Sequence, residues 1–119
     1  MLAVLFVAAV VAVVCHEAAH VLVATCYGGR FVRLVFRAPF LAVAVDHAGV
    51  PDWASVPIAL AGPASDFVLV LVGIALGRLG VLNLPECVGA CMWPAVSFAL
   101  NLLPIPRADG WRVLRALMP

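Results

Sequence analysis

The sequence predicts an all-α membrane protein with three transmembrane helices, a short β-hairpin or sheet insertion between the first two, and a C-terminal interfacial helix. The chain is 66% hydrophobic and only 11% charged, with a mean hydropathy of +1.20, whereas soluble domains are about a quarter charged. A water-soluble fold of this composition would have too little polar surface to cover itself, so we expect the chain to lie in a bilayer. Helices are expected there, because an α-helix hydrogen-bonds its own backbone N–H and C=O groups. Residues 1–119 are expected to form a single domain.

Charge and cysteine content narrow the possible functions. The formal net charge is +1, which gives no basis for nucleic-acid binding. The cysteines lack the paired spacing of a structural zinc site. We interpret them as small buried apolar residues, with a disulfide or an extra metal ligand as the alternative. They are Cys15, Cys26, Cys87 and Cys91.

The first predicted span covers residues 1–25, which are almost unbroken apolar sequence and long enough to cross a bilayer core. A signal peptide is the alternative, but no Arg or Lys precedes the apolar run. Gly28–Gly29 is expected to end the helix.

The following runs FVRLVFR and FLAVAV are β-branched and aromatic, with turn-like breaks at Ala38–Pro39 and Asp46–Gly49. They predict two or three short strands.

The second predicted span covers residues 54–80 and the third covers residues 86–103. The second contains Gly73 and Gly77, whose four-residue spacing allows close helix packing, although incidental glycines in an apolar helix are an equal alternative. The third ends at LPIP, because two prolines in three residues stop a helix.

The C-terminal tail and the arginines predict the orientation in the bilayer. The tail DGWRVLRALM places Trp111, Leu114 and Leu117 on one helical face, as in a helix that lies in the membrane interface. Six arginines follow the first and third spans, and only Arg78 lies on the opposite side. Arginine-rich flanks face the cytoplasm. We therefore expect an integral membrane protein, in the plasma membrane of a prokaryote, with its N-terminus outside and its C-terminus cytoplasmic.

Two histidines and a glutamate interrupt the most apolar segment, VVAVVCHEAAHVLVAT. His16 and His20 lie one helical turn apart, a spacing at which two imidazoles can bind one zinc ion. Glu17 projects on the same side, within reach of a water at the metal. Inserting a charged side chain at mid-bilayer costs roughly 2.5–3.5 kcal/mol of free energy. A cluster of three ionisable side chains without a function is therefore unfavourable. A neutral histidine pair bonded to backbone carbonyls is the structural alternative.

A catalytic zinc site also needs a third protein ligand. Asp109 follows the proline break of the third span, at the depth of the histidines, and Gly110 is expected to let the backbone bend toward the metal. We therefore favour Asp109 over Asp66, with a helix N-cap as the alternative role of Asp109. The other candidates considered are His47, Asp46, Asp52 and Glu86.

The motifs HEAAH, AGPASD and NLLPIPRADG resemble those of the site-2 protease family of intramembrane zinc metalloproteases, and the resemblance covers nearly the whole chain. It implies three transmembrane helices with the active site toward the cytoplasmic side. It further implies one zinc ion per chain bound by His16, His20 and Asp109, with Glu17 as the catalytic base. It also assigns Asn101 a place near the metal, where we expect it to bond the substrate backbone or the oxyanion; an interhelical hydrogen bond is the alternative.

Two positions depart from the family pattern. The second-span motif usually ends in asparagine, but here it ends in Asp66, and a carboxylate does not donate a hydrogen bond unless it is protonated. Trp111 stands where the family often has a second glycine. Extra helices and a PDZ-like domain are also missing, so a minimal core or a piece of a longer protein is expected.

The predicted function is regulated intramembrane proteolysis, the hydrolysis of peptide bonds within or near transmembrane segments of membrane-protein substrates. The expected partners are therefore a transmembrane protein substrate and the lipid bilayer.

FLAVAV is interpreted as part of a structural hairpin, with strand pairing to an unwound substrate as the alternative. Two other functions are weighed: a catalytically inactive homologue that binds transmembrane segments, and a small metal-handling or transport protein. The transporter requires a polar pathway, but the outer halves of the spans are apolar.

Overall fold

The computed structural model describes residues 2–37 and 40–118. It is mostly helical with one small two-stranded sheet, as the sequence predicts. The predicted break at Ala38–Pro39 lies outside the described residues. The elements are α1 (Leu2–Cys26), β1 (Arg30–Arg37), β2 (Phe40–Asp46), a short 3₁₀ helix (Asp52–Ala54), α2 (Ser55–Arg78), α3 (Leu84–Leu102) and α4 (Asp109–Leu117).

Helix α1 ends where two glycines allow the chain to turn back sharply. Gly28 has φ +92°, a conformation that glycine adopts without steric cost. The Gly29 N–H then donates to the Ala24 carbonyl at 2.8 Å. A Cβ at Gly29 would overlap that same carbonyl. The predicted helix end at Gly28–Gly29 is therefore confirmed.

The two strands form an antiparallel hairpin that packs against α1. Its register runs from the pair Arg30 and Asp46 to the pair Arg37 and Phe40, with one irregularity between Phe31 and Arg33. The chain leaves β2 through the predicted turn, in which the Asp46 Oδ1 accepts the Ala48 N–H at 2.9 Å. Two strands are present in the described segment.

Small residues bring α2 and α3 together. A Cβ at Gly73 would lie 2.6 Å from the Cys91 Sγ, and one at Gly77 would lie 2.7 Å from the Cys87 Sγ. The Cys87 thiol also donates to the Gly73 carbonyl at 3.4 Å. The glycines of α2 therefore receive the cysteines of α3, which supports the close-packing interpretation over incidental glycines.

The prediction that all four cysteines are buried is wrong. Cys26 is exposed and the other three are partly buried, and all four thiols are free. The buried residues of α1 recur every four positions and end with Ala24. Since each residue turns the helix by about 100°, Cys26 lies about 200° further around the axis and faces outward.

The distribution of apolar side chains is the reverse of that in a soluble domain. The buried hydrophobic side chains are mostly alanines, and four polar side chains are buried with them, whereas many large apolar side chains, such as Phe6, Leu22 and Leu71, are exposed. Soluble proteins bury large apolar residues and expose polar ones. The outer surface of the bundle therefore suits lipid better than water.

Two segments are long and apolar enough to cross a membrane, Leu2–Cys26 and Asp52–Arg78. Helix α3 has 19 residues and contains Pro94. Glu86 near its start and Asn101 near its end lower its hydropathy. The third membrane span therefore stays a prediction.

We expect Gly73→Ala to destabilise the protein, because the added methyl overlaps the Cys91 sulfur. Overpacking costs about 1–3 kcal/mol, against a gain of about 1 kcal/mol in helix propensity. Adding Cys91→Ala should restore stability, with a coupling free energy of about 1 kcal/mol or more. Denaturant unfolding in detergent, followed by circular dichroism, measures both. Cys15→Ala is the control and should combine additively with Gly73→Ala; additivity with Cys91→Ala as well would refute this packing.

Candidate metal centre

The site begins with a four-residue repeat shared by two antiparallel helices. In α1 the buried positions are Ala12, His16, His20 and Ala24, which form one stripe along the helix. In α2 the facing residues are also four apart: Ile58, Gly62 and Asp66 are all buried. His20 lies beside Ile58 and His16 lies beside Asp66.

Both imidazoles are held through the Nδ1 nitrogen. The His20 Nδ1 lies 2.7 Å from the Ile58 carbonyl oxygen, and the His16 Nδ1 lies 2.8 Å from the Asp66 Oδ2. Each oxygen is an acceptor, so each Nδ1 carries the hydrogen. The two Nε2 atoms are therefore turned toward a common point with lone pairs available for a metal.

Asp109 completes a triangle of donor atoms. Its Oδ2 lies 3.1 Å from the His16 Nε2 and 3.2 Å from the His20 Nε2, and the two Nε2 atoms are 3.2 Å apart. With zinc–ligand bonds of about 2.0–2.1 Å, a tetrahedron has edges of about 3.3 Å. The three separations therefore fit three corners of a tetrahedral zinc site.

The segment after α3 returns Asp109 to the other helices. Arg107 has φ +80°, a left-handed conformation that is unusual for a side chain other than glycine. Asp109 is then the first residue of α4, whose N-cap is Ala108. The alternative in which Asp109 serves as the N-cap is thus not realised. The other carboxylate oxygen, Oδ1, lies 3.7 Å from the Arg112 guanidinium.

Gly110 acts differently from the prediction that it would let the backbone bend. A Cβ at this position would collide with the carbonyl oxygens of Leu102 and Leu103. Gly110 itself lies within the helical segment of α4, and the left-handed residue of the loop is Arg107. The glycine therefore lets the start of α4 approach the end of α3, and this approach sets the position of Asp109.

Gly62 provides the space in front of the donor atoms. A Cβ at Gly62 would overlap the Nε2 atoms of both His16 and His20. Any side chain at this position would therefore fill the place where these nitrogens meet a metal. Gly62 had no predicted role, because a helix that is apolar on nearly every side does not show which way this glycine faces.

Four acidic or basic side chains are almost completely enclosed by the helices. The exposed fractions are 7% for His16, 8% for His20, 5% for Asp109 and 0% for Asp66. Burial raises the pKa of the Asp109 carboxyl, but hydrogen bonding and charge from the two histidines, when protons rather than a metal ion occupy their Nε2 atoms, outweigh burial and hold that pKa well below its usual range. Asp109 is therefore kept in the anionic form that a metal ligand needs.

The other acidic candidates for the third ligand have structural roles or different positions. Asp66 contacts the ring nitrogen of His16 that faces away from the donor triangle. Asp46 accepts a hydrogen bond in the turn after β2. Glu86 forms a reciprocal capping box with Asn83 at the start of α3. Among the described residues, the group whose ligand atoms converge is His16, His20 and Asp109.

Glu17 and Asn101 lie around this group and do not belong to it. Glu17 is half-buried, and its Oε2 accepts the Val43 N–H of β2 at 2.9 Å. The Asn101 amide donates to the Ser97 Oγ at 3.2 Å, and Ser97 in turn donates to Asp66. Their assigned roles toward a substrate stay predictions. The sequence does not single out Ser97, since a lone serine in an apolar helix carries no distinguishing pattern.

Comparison with known proteins identifies a distant relative. No protein-family model matches the chain. The chain is 29% identical over 119 residues to the zinc metalloprotease MJ0392 of Methanocaldococcus jannaschii, and the match covers 98% of this chain. It covers 34% of that protein, so the chain spans about a third of the length of this relative.

We expect Gly62→Ala to abolish metal binding while leaving the helices intact. The added methyl displaces both Nε2 atoms, whereas alanine is the better helix former by about 1 kcal/mol. Elemental analysis of purified protein after zinc loading and dialysis measures the loss, and circular dichroism checks the fold. Ala64→Ser, at an exposed position of α2, is the control that should keep its zinc. Full zinc occupancy in folded Gly62→Ala would show that the metal lies elsewhere.

Proposed function

We propose that this chain is the core of an intramembrane zinc metalloprotease, which hydrolyses peptide bonds within or near transmembrane segments of membrane proteins. The observation that carries the proposal is the donor triangle of the His16 and His20 Nε2 atoms and the Asp109 Oδ2, enclosed by apolar helices. The motifs resemble those of the site-2 protease family, and the relative from Methanocaldococcus jannaschii is named a zinc metalloprotease.

The donor set fits a catalytic zinc ion. His16, His20 and Asp109 would hold the ion with two imidazoles and one carboxylate, a three-ligand set that in zinc hydrolases leaves a position for water or substrate. Structural zinc sites are instead closed by four protein ligands, usually with cysteine. When bound, zinc acts as a Lewis acid and lowers the pKa of a coordinated water toward 7.

Glu17 is the proposed proton carrier. It follows His16 directly in the chain, and its carboxylate bonds the backbone of β2 through Val43. This bond gives the hairpin a structural role, because it holds the Glu17 side chain on the hairpin side of α1. In the reaction Glu17 takes a proton from the attacking water and passes it to the leaving amine. Asn101 is proposed to stabilise the developing oxyanion.

The proposed location of the reaction is the interior of the membrane. His16 lies 14 residues after Leu2 and 10 residues before Cys26, which corresponds to about 21 Å and about 15 Å along the helix. The site is thus far from both ends of an apolar helix with outward-facing large side chains. We further propose that α3 is a third span and that the C-terminus is cytoplasmic, as arginine placement predicts.

A paired set of variants tests this function. We expect Glu17→Gln to keep about one zinc per chain but to lower cleavage of tagged single-span reporter proteins by about 10²–10⁴-fold. Asp109→Ala should lose both zinc and cleavage, since it removes a ligand. Zinc is measured by elemental analysis and cleavage by immunoblot of co-reconstituted reporters.

The control for these variants is Glu86→Gln, because glutamine also forms a capping box at the start of α3. It should leave zinc and cleavage unchanged. Cleavage by Glu17→Gln at the wild-type rate would remove Glu17 from the mechanism. A wild-type protein that binds zinc but cleaves no reporter would favour an inactive homologue that binds transmembrane segments.

A further inference from the structure

We propose that Asp66 is a positioning residue of the metal centre, which orients the His16 imidazole and strengthens metal binding. This inference rests on the metal site of the proposed function but does not depend on proteolysis. It also gives a role to the aspartate at position 66, where the family that the chain resembles usually has asparagine.

Asp66 contacts His16 on the side away from the metal-binding atoms. Its Oδ2 lies 2.8 Å from the His16 Nδ1, whereas the His16 Nε2 faces the Asp109 Oδ2 at 3.1 Å. A carboxylate on Nδ1 fixes the tautomer that leaves Nε2 unprotonated and makes that nitrogen a better electron donor. Asp66 therefore acts on the metal through His16 without being a ligand itself.

The two histidines are supported unequally. The Nδ1 of His20 is held by the Ile58 backbone carbonyl, a neutral acceptor, whereas the Nδ1 of His16 is held by a carboxylate. Hydrogen bonds to an ionised acceptor are roughly twice as strong as those between neutral groups. A residue of any type at position 58 supplies a backbone carbonyl, but only an acidic residue at position 66 supplies the carboxylate. The His16 half of the site therefore depends on the identity of residue 66.

Helix α3 supports Asp66 in turn. The Ser97 hydroxyl donates to the same Oδ2 at 2.7 Å, and the Asn101 amide donates to the Ser97 Oγ at 3.2 Å. Asn101, Ser97, Asp66 and His16 thus form one chain of hydrogen bonds from α3 through α2 to α1. Helix α3 supplies no atom to the donor triangle. These hydrogen bonds connect its polar side chains to the metal centre.

Asp66 is buried with both of its hydrogen bonds on one carboxylate oxygen. The side chain is completely enclosed, and Oδ1 has no hydrogen-bond partner among the described residues. The bonds of the carboxylate converge on Oδ2, where His16 and Ser97 meet. A buried carboxylate is costly unless it is paired, and the His16 imidazole, when it holds a metal ion, would supply positive charge to Oδ2.

The test compares zinc affinity by chelator competition in detergent for four proteins with wild type. We expect Asp66→Ala to weaken zinc binding by about 10–100-fold. Asp66→Asn keeps the shape and one neutral acceptor, so its affinity should lie between those of Asp66→Ala and wild type. Ser97→Ala should weaken binding by less than Asp66→Ala. Ser55→Ala, which loses only a hydrogen bond to the Asp52 carbonyl, is the control and should bind as wild type does.

A spectroscopic readout separates positioning from a general loss of structure. Cobalt(II) in place of zinc should show an altered visible spectrum in Asp66→Ala and a spectrum closer to wild type in Asp66→Asn, with circular dichroism as the check on folding. Wild-type zinc affinity and an unchanged cobalt spectrum in Asp66→Asn would overturn the inference even if Asp66→Ala does not fold. A wild-type protein that binds neither metal would instead refute the proposed function.

Discussion

Three electron-pair donors, two from the apolar helix α1 and one from the start of α4, meet within 3.2 Å of one another, and the remaining structure is arranged to hold them there. Two imidazole nitrogens and a carboxylate oxygen so close together are unfavourable unless protons or a cation lie between them, and the low dielectric of the helical bundle strengthens both the repulsion and the compensation. A divalent cation satisfies all three donors at once. The arrangement is therefore best understood as a binding site whose folding and metal affinity are coupled.

Small residues make this convergence possible. Gly62 leaves the space in front of the histidines, and Gly110 lets α4 approach α3 closely enough to deliver Asp109. Nearer the C-terminal end of α2, Gly73 and Gly77 receive the cysteines of α3. Each glycine exchanges backbone entropy for a close approach that a methyl group would prevent. Many large apolar side chains therefore lie on the outer surface, which suits lipid, whereas small and polar residues lie in the interior.

Much of the fold followed from local patterns that a sequence displays directly. Apolar length predicted the helices, the glycine pair predicted the end of α1, and β-branched runs predicted the hairpin. The one-turn spacing of His16 and His20 predicted a shared metal site, and depth along the chain favoured Asp109. What could not be predicted were relations across elements: that Asp66 lies behind His16, that Ser97 bonds Asp66, and that Gly62 faces both rings. These depend on the rotation of α2 about its axis, which a helix that is apolar on every side does not encode. The wrong prediction for Cys26 has another cause: it rested on residue type alone, whereas the stripe of His16 and His20 along α1 turns Cys26 outward.

The central claim concerns which atoms hold the metal, and X-ray absorption at the zinc edge tests it most directly. Zinc-loaded protein in detergent should show only nitrogen and oxygen neighbours at about 2.0–2.1 Å, with the outer-shell scattering of two imidazoles. A sulfur neighbour at about 2.3 Å would place the ion on the free cysteines instead. That result, or an ion without imidazole neighbours, would contradict the account of a site built from His16, His20 and Asp109.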